Sequence, residues 1–147
     1  MKERRQNKHK SAAGFTLLEI LLVVVIIGLL VGVAVVRLGA RSGEAKKVAA
    51  QRQIDAYKTA LGLYELDNGF YPTTEQGLQA LIVMPTTAPV PNNWKGPYLD
   101  PPVLRKDPWG HDYIYVYPGT RNPAGYDLFS PGVNGVEGDD DDIGNWQ

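Results

Sequence analysis

The sequence predicts an α+β protein in which a long N-terminal helix is packed on a small mixed domain. Three patterns predict this fold: an unbroken apolar run over 15–36, helical spacing of apolar residues from Ala50 to Tyr64, and alternation of side chains over 113–117. A chain of 147 residues has the length of one domain with a modest core.

The overall composition conceals an uneven distribution of charge. Residues 1–14 carry five basic side chains and one acidic side chain, a net +4, and the remainder carries −5. The absence of Cys excludes disulfides, thiolate metal sites and Cys nucleophiles. Two His residues are too few for a poly-His metal centre, and a net charge of −1 gives no reason to expect nucleic acid as a partner.

The apolar run over 15–36 has the length of a helix that crosses a bilayer. The core helix of a soluble protein would have one polar face, and this run has none. Basic residues precede the run. A cleaved secretory signal is the first alternative, but its apolar region would be about 7–15 residues and end at an A-x-A-like site. We therefore predict a single-pass helix in membrane lipid with a cytoplasmic N-terminus.

Glu19 is the one acidic side chain within this run. An ionised group near the centre of a membrane costs about 2.5–3.5 kcal/mol, and less toward an end. Its carboxylate either has a partner or reaches the headgroups. Cleavage between Gly14 and Phe15 would create an α-ammonium group four residues earlier, which could pair with Glu19 of a neighbouring subunit in a filament.

The helical spacing continues from Ala50 to Tyr64, and the Asn68-Gly69 pair followed by Pro72 predicts where the helix ends. Thr73 and Gln76 have the spacing of a capping box, so a short second helix is expected over 77–83. The Pro-rich stretch over 85–102 contains Trp94, Tyr98 and Leu99, and is therefore expected to pack on the domain.

Two or three antiparallel strands are expected next, from the alternation over 111–117 and the short run over 126–130. Tyr113, Tyr115 and Tyr117 share one face. With no basic patch beside them, they are interpreted as packing residues and not as a stacking platform for nucleic acid.

The acidic C-terminal segment has two possible interpretations. Gly-rich backbone, Asn134 and the four consecutive acids Asp139–Asp142 supply the oxygen ligands that Ca²⁺ prefers, although the pattern is not that of an EF-hand. A solvated acidic tail is the alternative. Ile143 and Trp146 resemble anchors, which counts against a free tail, and a small domain without disulfides would gain from a metal.

The N-terminal residues resemble a known family. Gly14 followed by FTLLEILLVVVIIGLL is similar to the class III signal of type IV pilins and pseudopilins. The resemblance implies that a prepilin peptidase cuts after Gly14 and methylates Phe15, and that Glu19 directs subunit packing. That family often has Pro where this chain has Val36.

The rest of the chain resembles the major pseudopilins of type II secretion systems, through LYELDNGFYPTTEQGLQAL, DPWG, and DLFSPGVNG through DDIGNW. The resemblance implies a removed leader over 1–14, a fibre-core helix over 15–36 and a periplasmic head over 37–147. It also implies a calcium site whose ligands are the carbonyls of Pro131 and Val136 and the side chains of Asn134, Asp141 and Asp142. Position 134 is usually Asp in that family.

The same resemblance implies a structural role and not an enzymatic one. The expected product is a helical homo-oligomeric fibre, built from the inner membrane with minor pseudopilins and an assembly platform, that helps to export folded proteins across the outer membrane.

Two other functions are alternatives to this one. Type IV pilins for adhesion or DNA uptake often carry a C-terminal Cys pair, which is absent here. A membrane-anchored periplasmic enzyme or binding domain would need a site. His111 adjoins a Trp-Gly turn and is interpreted as a loop residue, and the sequence has no phosphate-binding loop or nucleophile elbow.

Overall fold

The computed structural model describes the backbone of residues 15–147 and the side chains of residues 15–32 and 42–147. The predicted leader over 1–14, with Gly14 of the predicted cleavage site, lies outside the described residues. The fold is α+β, as predicted. Helix α1, Leu17–Asn68, is continuous through both predicted helical segments, and the chain divides into two compact units between Arg41 and Ser42.

The first turns of α1 expose apolar side chains in every direction. All residues from 15 to 32 are exposed, including Leu17 at 89% and Leu18 at 75%. Among the described side chains, no helix combines the length and apolar character needed to cross a membrane. The last part of the predicted span, residues 33–36, lies outside the described side chains, so the span stays a prediction.

The second half of α1 supplies one wall of the core, as its spacing predicts. The five stripe residues are all fully buried: Ala50, Ile54, Tyr57, Leu61 and Tyr64. The helix ends at Asn68 because Gly69 adopts a positive φ of 81°, and the Gly69 N–H closes the last turn on the Glu65 carbonyl at 2.7 Å. The predicted stop is confirmed.

The predicted capping box is present. The Thr73 N–H donates to Gln76 Oε1 at 3.0 Å, and the Gln76 N–H donates to Thr73 Oγ1 at 3.2 Å. The helix that follows is a 3₁₀ helix, Leu78–Leu81, and so is shorter than the predicted range over 77–83. It begins directly after Gly77, whose φ of +58° and ψ of −165° are not helical.

The Pro-rich stretch packs on the domain as expected. The Gln76 amide donates to the carbonyls of Thr87 and Pro89, and Trp94 Nε1 donates to the Ala80 carbonyl at 3.0 Å. Trp94, Tyr98 and Leu99 lie against the core. This stretch is therefore part of the folded unit.

Three short antiparallel strands in the order β1-β2-β3 complete the domain: β1, Ile114–Val116; β2, Asp127–Ser130; and β3, Ile143–Gly144. The first two lie inside the predicted ranges. Tyr115 is buried and its hydroxyl donates to the Pro72 carbonyl at 2.8 Å, which confirms the packing interpretation of the tyrosines.

Candidate functional site

The C-terminal loop, residues 131–142, is the connection between β2 and β3. Its two ends are fixed by the strand pair in which Ser130 lies opposite Ile143. Ile143 is buried, and Trp146 packs on Phe129 with ring centroids 5.4 Å apart. The acidic residues are therefore held between two anchored strands, and the segment is not a free tail.

Side-chain acceptors within the loop fix its backbone. Asp141 Oδ2 accepts hydrogen bonds from the N–H groups of Val133 (2.7 Å) and Asn134 (3.2 Å). Asn134 Oδ1 in turn accepts from the Val136 N–H at 2.7 Å, and Asn134 Nδ2 donates to Asp139 Oδ2 at 2.7 Å. The structure thus brings together Asn134 and Asp141, two of the predicted ligands.

Gly132 shows how closely the loop turns on itself. Its φ is +65°, and a Cβ at this position would collide with the backbone carbonyl and the carboxylate of Asp141. Only glycine allows the backbone that follows β2 to approach Asp141 this closely.

Asp142 is the most deeply buried carboxylate of the loop. Its side chain is 2% exposed, and Oδ2 accepts a hydrogen bond from the Gly138 N–H at 2.8 Å. Oδ1 is buried and has no hydrogen-bond partner. A buried, unpartnered acceptor costs roughly 1–3 kcal/mol, and more when charged, so this oxygen is the position in the loop where a further ligand would be most favourable.

The donor set suits a hard cation. The described residues contain no cluster of three His, Cys, Asp or Glu side chains suited to a metal. The predicted set instead combines two carboxylates, one amide oxygen and backbone carbonyls, and Ca²⁺ accepts such mixed oxygen ligands. Pro131 and Val136 lie in the same loop and would supply the carbonyls. An oxygen that already accepts one hydrogen bond keeps a second lone pair for a cation.

Hydrogen bonds also set the acidity of the loop. A hydrogen bond with the Asp141 side chain, another from the Asn134 amide and a third from the Asp141 N–H lower the pKa of Asp139. Asp139 is therefore a carboxylate at neutral pH and adds to the negative charge of the loop.

A second buried carboxylate, Asp107, ties the DPWG turn to the start of the loop. Asp107 Oδ1 accepts from the N–H groups of Trp109 (3.0 Å) and His111 (2.8 Å), and Oδ2 accepts from Ser130 Oγ at 2.5 Å. His111 Nδ1 lies 3.1 Å from the Gly132 carbonyl. The sequence prediction treated this segment only as a turn, and it missed the link to the loop.

Burial alone would raise the pKa of Asp107, but the hydrogen bond from Ser130 and those from the His111 and Trp109 N–H groups outweigh it. The pKa of Asp107 therefore lies below its usual value, and the side chain is a carboxylate at neutral pH.

At the other end of the chain, Glu19 lies in the first turn of α1. Its N–H donates to Thr16 Oγ1 at 3.2 Å, so Thr16 caps the helix and Glu19 occupies the third helical position. A carboxylate there interacts favourably with the N-terminal end of the helix dipole. The T-x-x-E spacing of Thr16 and Glu19 is the sequence signal for this cap. Phe15, the predicted mature N-terminus, is 79% exposed.

The fold places the chain among the pseudopilins. It superposes with a TM-score of 0.66 and 42% identity on the crystal structure of the major pseudopilin from the type 2 secretion system of enterohaemorrhagic Escherichia coli, covering 73% of this chain and 87% of that one. Residues 9–35 match the model of the prokaryotic N-terminal methylation motif.

Residues 37–146 match the family model described as type II secretion system protein G. Relatives named type II secretion system core protein G include that of Pseudomonas aeruginosa, 46% identical over 95% of this chain and 98% of its own, and that of Aeromonas hydrophila, 44% identical over 99% and 96%. This chain belongs to the type II secretion system protein G family.

Replacing Asp107 with Asn tests the link between the turn and the loop. Asp107→Asn is expected to lower the free energy of unfolding by about 1–3 kcal/mol at pH 7, because three donors lose a charged acceptor. The folded-state pKa lies below the unfolded value of about 3.9. The carboxylate therefore contributes its full stability above that value and loses it as the pH falls through the folded pKa.

Unfolding of the full-length chain in detergent at pH 7 and pH 3 measures this difference, which should shrink in acid. Asp112→Asn is the control, because that side chain is 82% exposed and its change should stay below about 0.5 kcal/mol. An equal loss at both pH values would contradict the assignment.

Proposed function

We propose that this protein is a structural subunit of a type II secretion pseudopilus, a fibre that helps to export folded proteins across the outer membrane. One observation carries the proposal: every described side chain from 15 to 32 is exposed, and nearly all are apolar. A helix that is apolar all round must be buried in lipid or among other helices. The membrane would cover it before assembly, and neighbouring subunits would cover it in the fibre.

Anchoring and processing would follow from the N-terminal residues. The chain would cross the inner membrane once over 15–36, with a cytoplasmic N-terminus and a periplasmic head. A prepilin peptidase would cleave between Gly14 and Phe15 and methylate Phe15. The methylated amine remains a cation. Glu19 of one subunit would pair with the methylated amine of Phe15 in the neighbouring subunit. Minor pseudopilins and the inner-membrane assembly platform are the expected partners.

Processing is tested at the N-terminus. Intact-mass and peptide mass spectrometry of the protein from its membrane should give a chain that begins with N-methylated Phe15. A variant in which Gly14 is replaced by Val should keep its leader, because the signal that this N-terminus resembles has a small residue before the cut. Detection of any other N-terminus in the unchanged protein would refute the proposed cleavage.

Assembly is tested at Glu19. Glu19→Gln removes the charge and should abolish recovery of the protein in sheared fibres, while the amount in the inner membrane stays unchanged. Glu44→Gln makes the same chemical change at an exposed position of α1 and should leave fibres intact. A membrane-anchored binding domain would tolerate both variants, so normal fibre recovery with Glu19→Gln would argue for that alternative.

We further propose that the C-terminal loop binds calcium. The support is the unpartnered Oδ1 of buried Asp142, together with the oxygen donors of Asn134 and Asp141 in the same loop. When bound, calcium would neutralise the carboxylates and cross-link the loop. Asp141 already orients the loop through the Val133 and Asn134 N–H groups, and Asp142 holds Gly138, so the chain's own hydrogen bonds preorganise the donors.

Removal of calcium should destabilise the protein. At a calcium concentration a hundred times Kd, binding contributes about 2.7 kcal/mol, so a chelator should lower the Tm of the full-length chain in detergent by roughly 10 °C. Asp142→Asn should remove most of this response, whereas Asp112→Asn, on an exposed side chain, should keep it. An unchanged Tm together with no calorimetric heat of calcium binding would disprove the site.

A further inference from the structure

One cation of the protein lies beside the carboxylate of Asp142. Arg121 Nη2 is 3.7 Å from Asp142 Oδ2, the oxygen that also accepts the Gly138 N–H. The second oxygen, Oδ1, is buried without a partner. The Asp142 carboxylate therefore has a cation near Oδ2 and no partner at Oδ1.

The backbone around Arg121 is fixed by a different carboxylate. Buried Asp127, the first residue of β2, accepts the N–H groups of Thr120 (2.6 Å), Arg121 (2.8 Å) and Asn122 (2.8 Å). A Cβ at Gly119 would come within 2.6 Å of Asp127 Oδ1, so the turn is drawn tightly onto the strand. The Arg121 side chain therefore starts from a rigid position.

The guanidinium group is also held by stacking. Arg121 Cζ lies 4.4 Å from the centre of the Trp146 ring, which packs on Phe129 of β2. The Arg121 side chain is 45% exposed and the Asp142 side chain is 2% exposed. Arg121 thus reaches from the surface to a buried carboxylate, with its planar group supported by an anchored ring.

We propose that Arg121 is the built-in counter-ion of Asp142, which stabilises the calcium-free loop and lowers the calcium affinity of the loop. The inference rests on the proposed calcium site. A buried carboxylate without any cation is strongly unfavourable, so the guanidinium supports the loop when calcium is absent. A calcium ion on Oδ1 would share the same carboxylate with a positive charge, and the two cations would repel each other.

The two effects have opposite signs, which separates this role from simple packing. Loss of the Arg121 charge should destabilise the calcium-free protein and tighten calcium binding. Loss of a residue that only supports the fold would lower stability equally with and without calcium. It would also weaken calcium binding or leave it unchanged.

The test measures calcium binding to the full-length chain in detergent by titration calorimetry, with Tm recorded in chelator and in excess calcium. Arg121→Gln should lower Kd by about tenfold, as expected for removing one charge several ångströms from a divalent ion near the surface. Its Tm in chelator should fall below that of the unchanged protein, and the Tm gain on adding calcium should be larger.

Three further variants sharpen the comparison. Arg121→Met keeps an unbranched side chain on Trp146 without the charge. It is the neutral variant to measure if Arg121→Gln fails to fold. Arg121→Lys keeps the charge and should bind calcium as the unchanged protein does. Lys47→Gln removes a positive charge on α1, from a side chain that lines the same cleft as Asp140–Asp142. It should change the calcium Kd less than twofold, because solvent screens a charge that does not contact the Asp142 carboxylate.

The results distinguish the inference from the calcium site itself. If the unchanged protein binds calcium and neither neutral variant binds it more tightly, the role of Arg121 is wrong and the site stands. If Lys47→Gln has the same effect as Arg121→Gln, the specific pairing is also overturned. If neither the unchanged protein nor any variant binds calcium, both proposals fall together. A neutral variant that binds where the unchanged protein does not supports the role of Arg121.

Discussion

Buried carboxylates that gather backbone N–H groups are the constraint on which the loops of this domain depend. The sheet has only short strands, and the sequence has no Cys to cross-link the connections. Asp107 holds the DPWG turn and β2 together, Asp127 holds the turn before β2, and Asp142 holds the end of the C-terminal loop. A buried charge is tolerated where several donors face it, so Asp107 and Asp127 each fix several loop residues at once, whereas Asp142 holds only Gly138.

The regular elements were predictable because each leaves a periodic trace in the sequence. The stripe from Ala50 to Tyr64, the stop at Gly69 and the Thr73–Gln76 capping box all depend on contacts close in the chain, and the structure confirms them. Strand β3, Ile143–Gly144, escaped prediction because two residues cannot show an alternation, and its existence depends on pairing with distant β2.

The candidate site was predictable in composition but not in geometry. Acidic and amide oxygens in a Gly-rich segment were compatible with either a hard-cation site or a solvated tail, and the family resemblance supplied the proposed ligands. The links from Asp107 to Ser130 and from His111 to Gly132 join residues 23 and 21 positions apart, and the link from Arg121 to Asp142 joins two different loops. No spacing rule marks such contacts, because the fold itself brings the partners together.

A comparison of the three buried carboxylates explains why the proposed cation site is at Asp142 and not at Asp107 or Asp127. Both oxygens of Asp107 and both oxygens of Asp127 already accept hydrogen bonds from N–H or O–H groups. Asp142 has one N–H donor and one partly exposed guanidinium on the same oxygen, and its other oxygen has no partner. Spare acceptor capacity on a buried carboxylate, in the same loop as the amide oxygen of Asn134 and the carboxylate of Asp141, would suit a calcium ion. The incomplete pairing of Asp142 thus sets it apart from Asp107 and Asp127, whose oxygens are satisfied by the chain alone, and it is the basis for proposing a cation at this position.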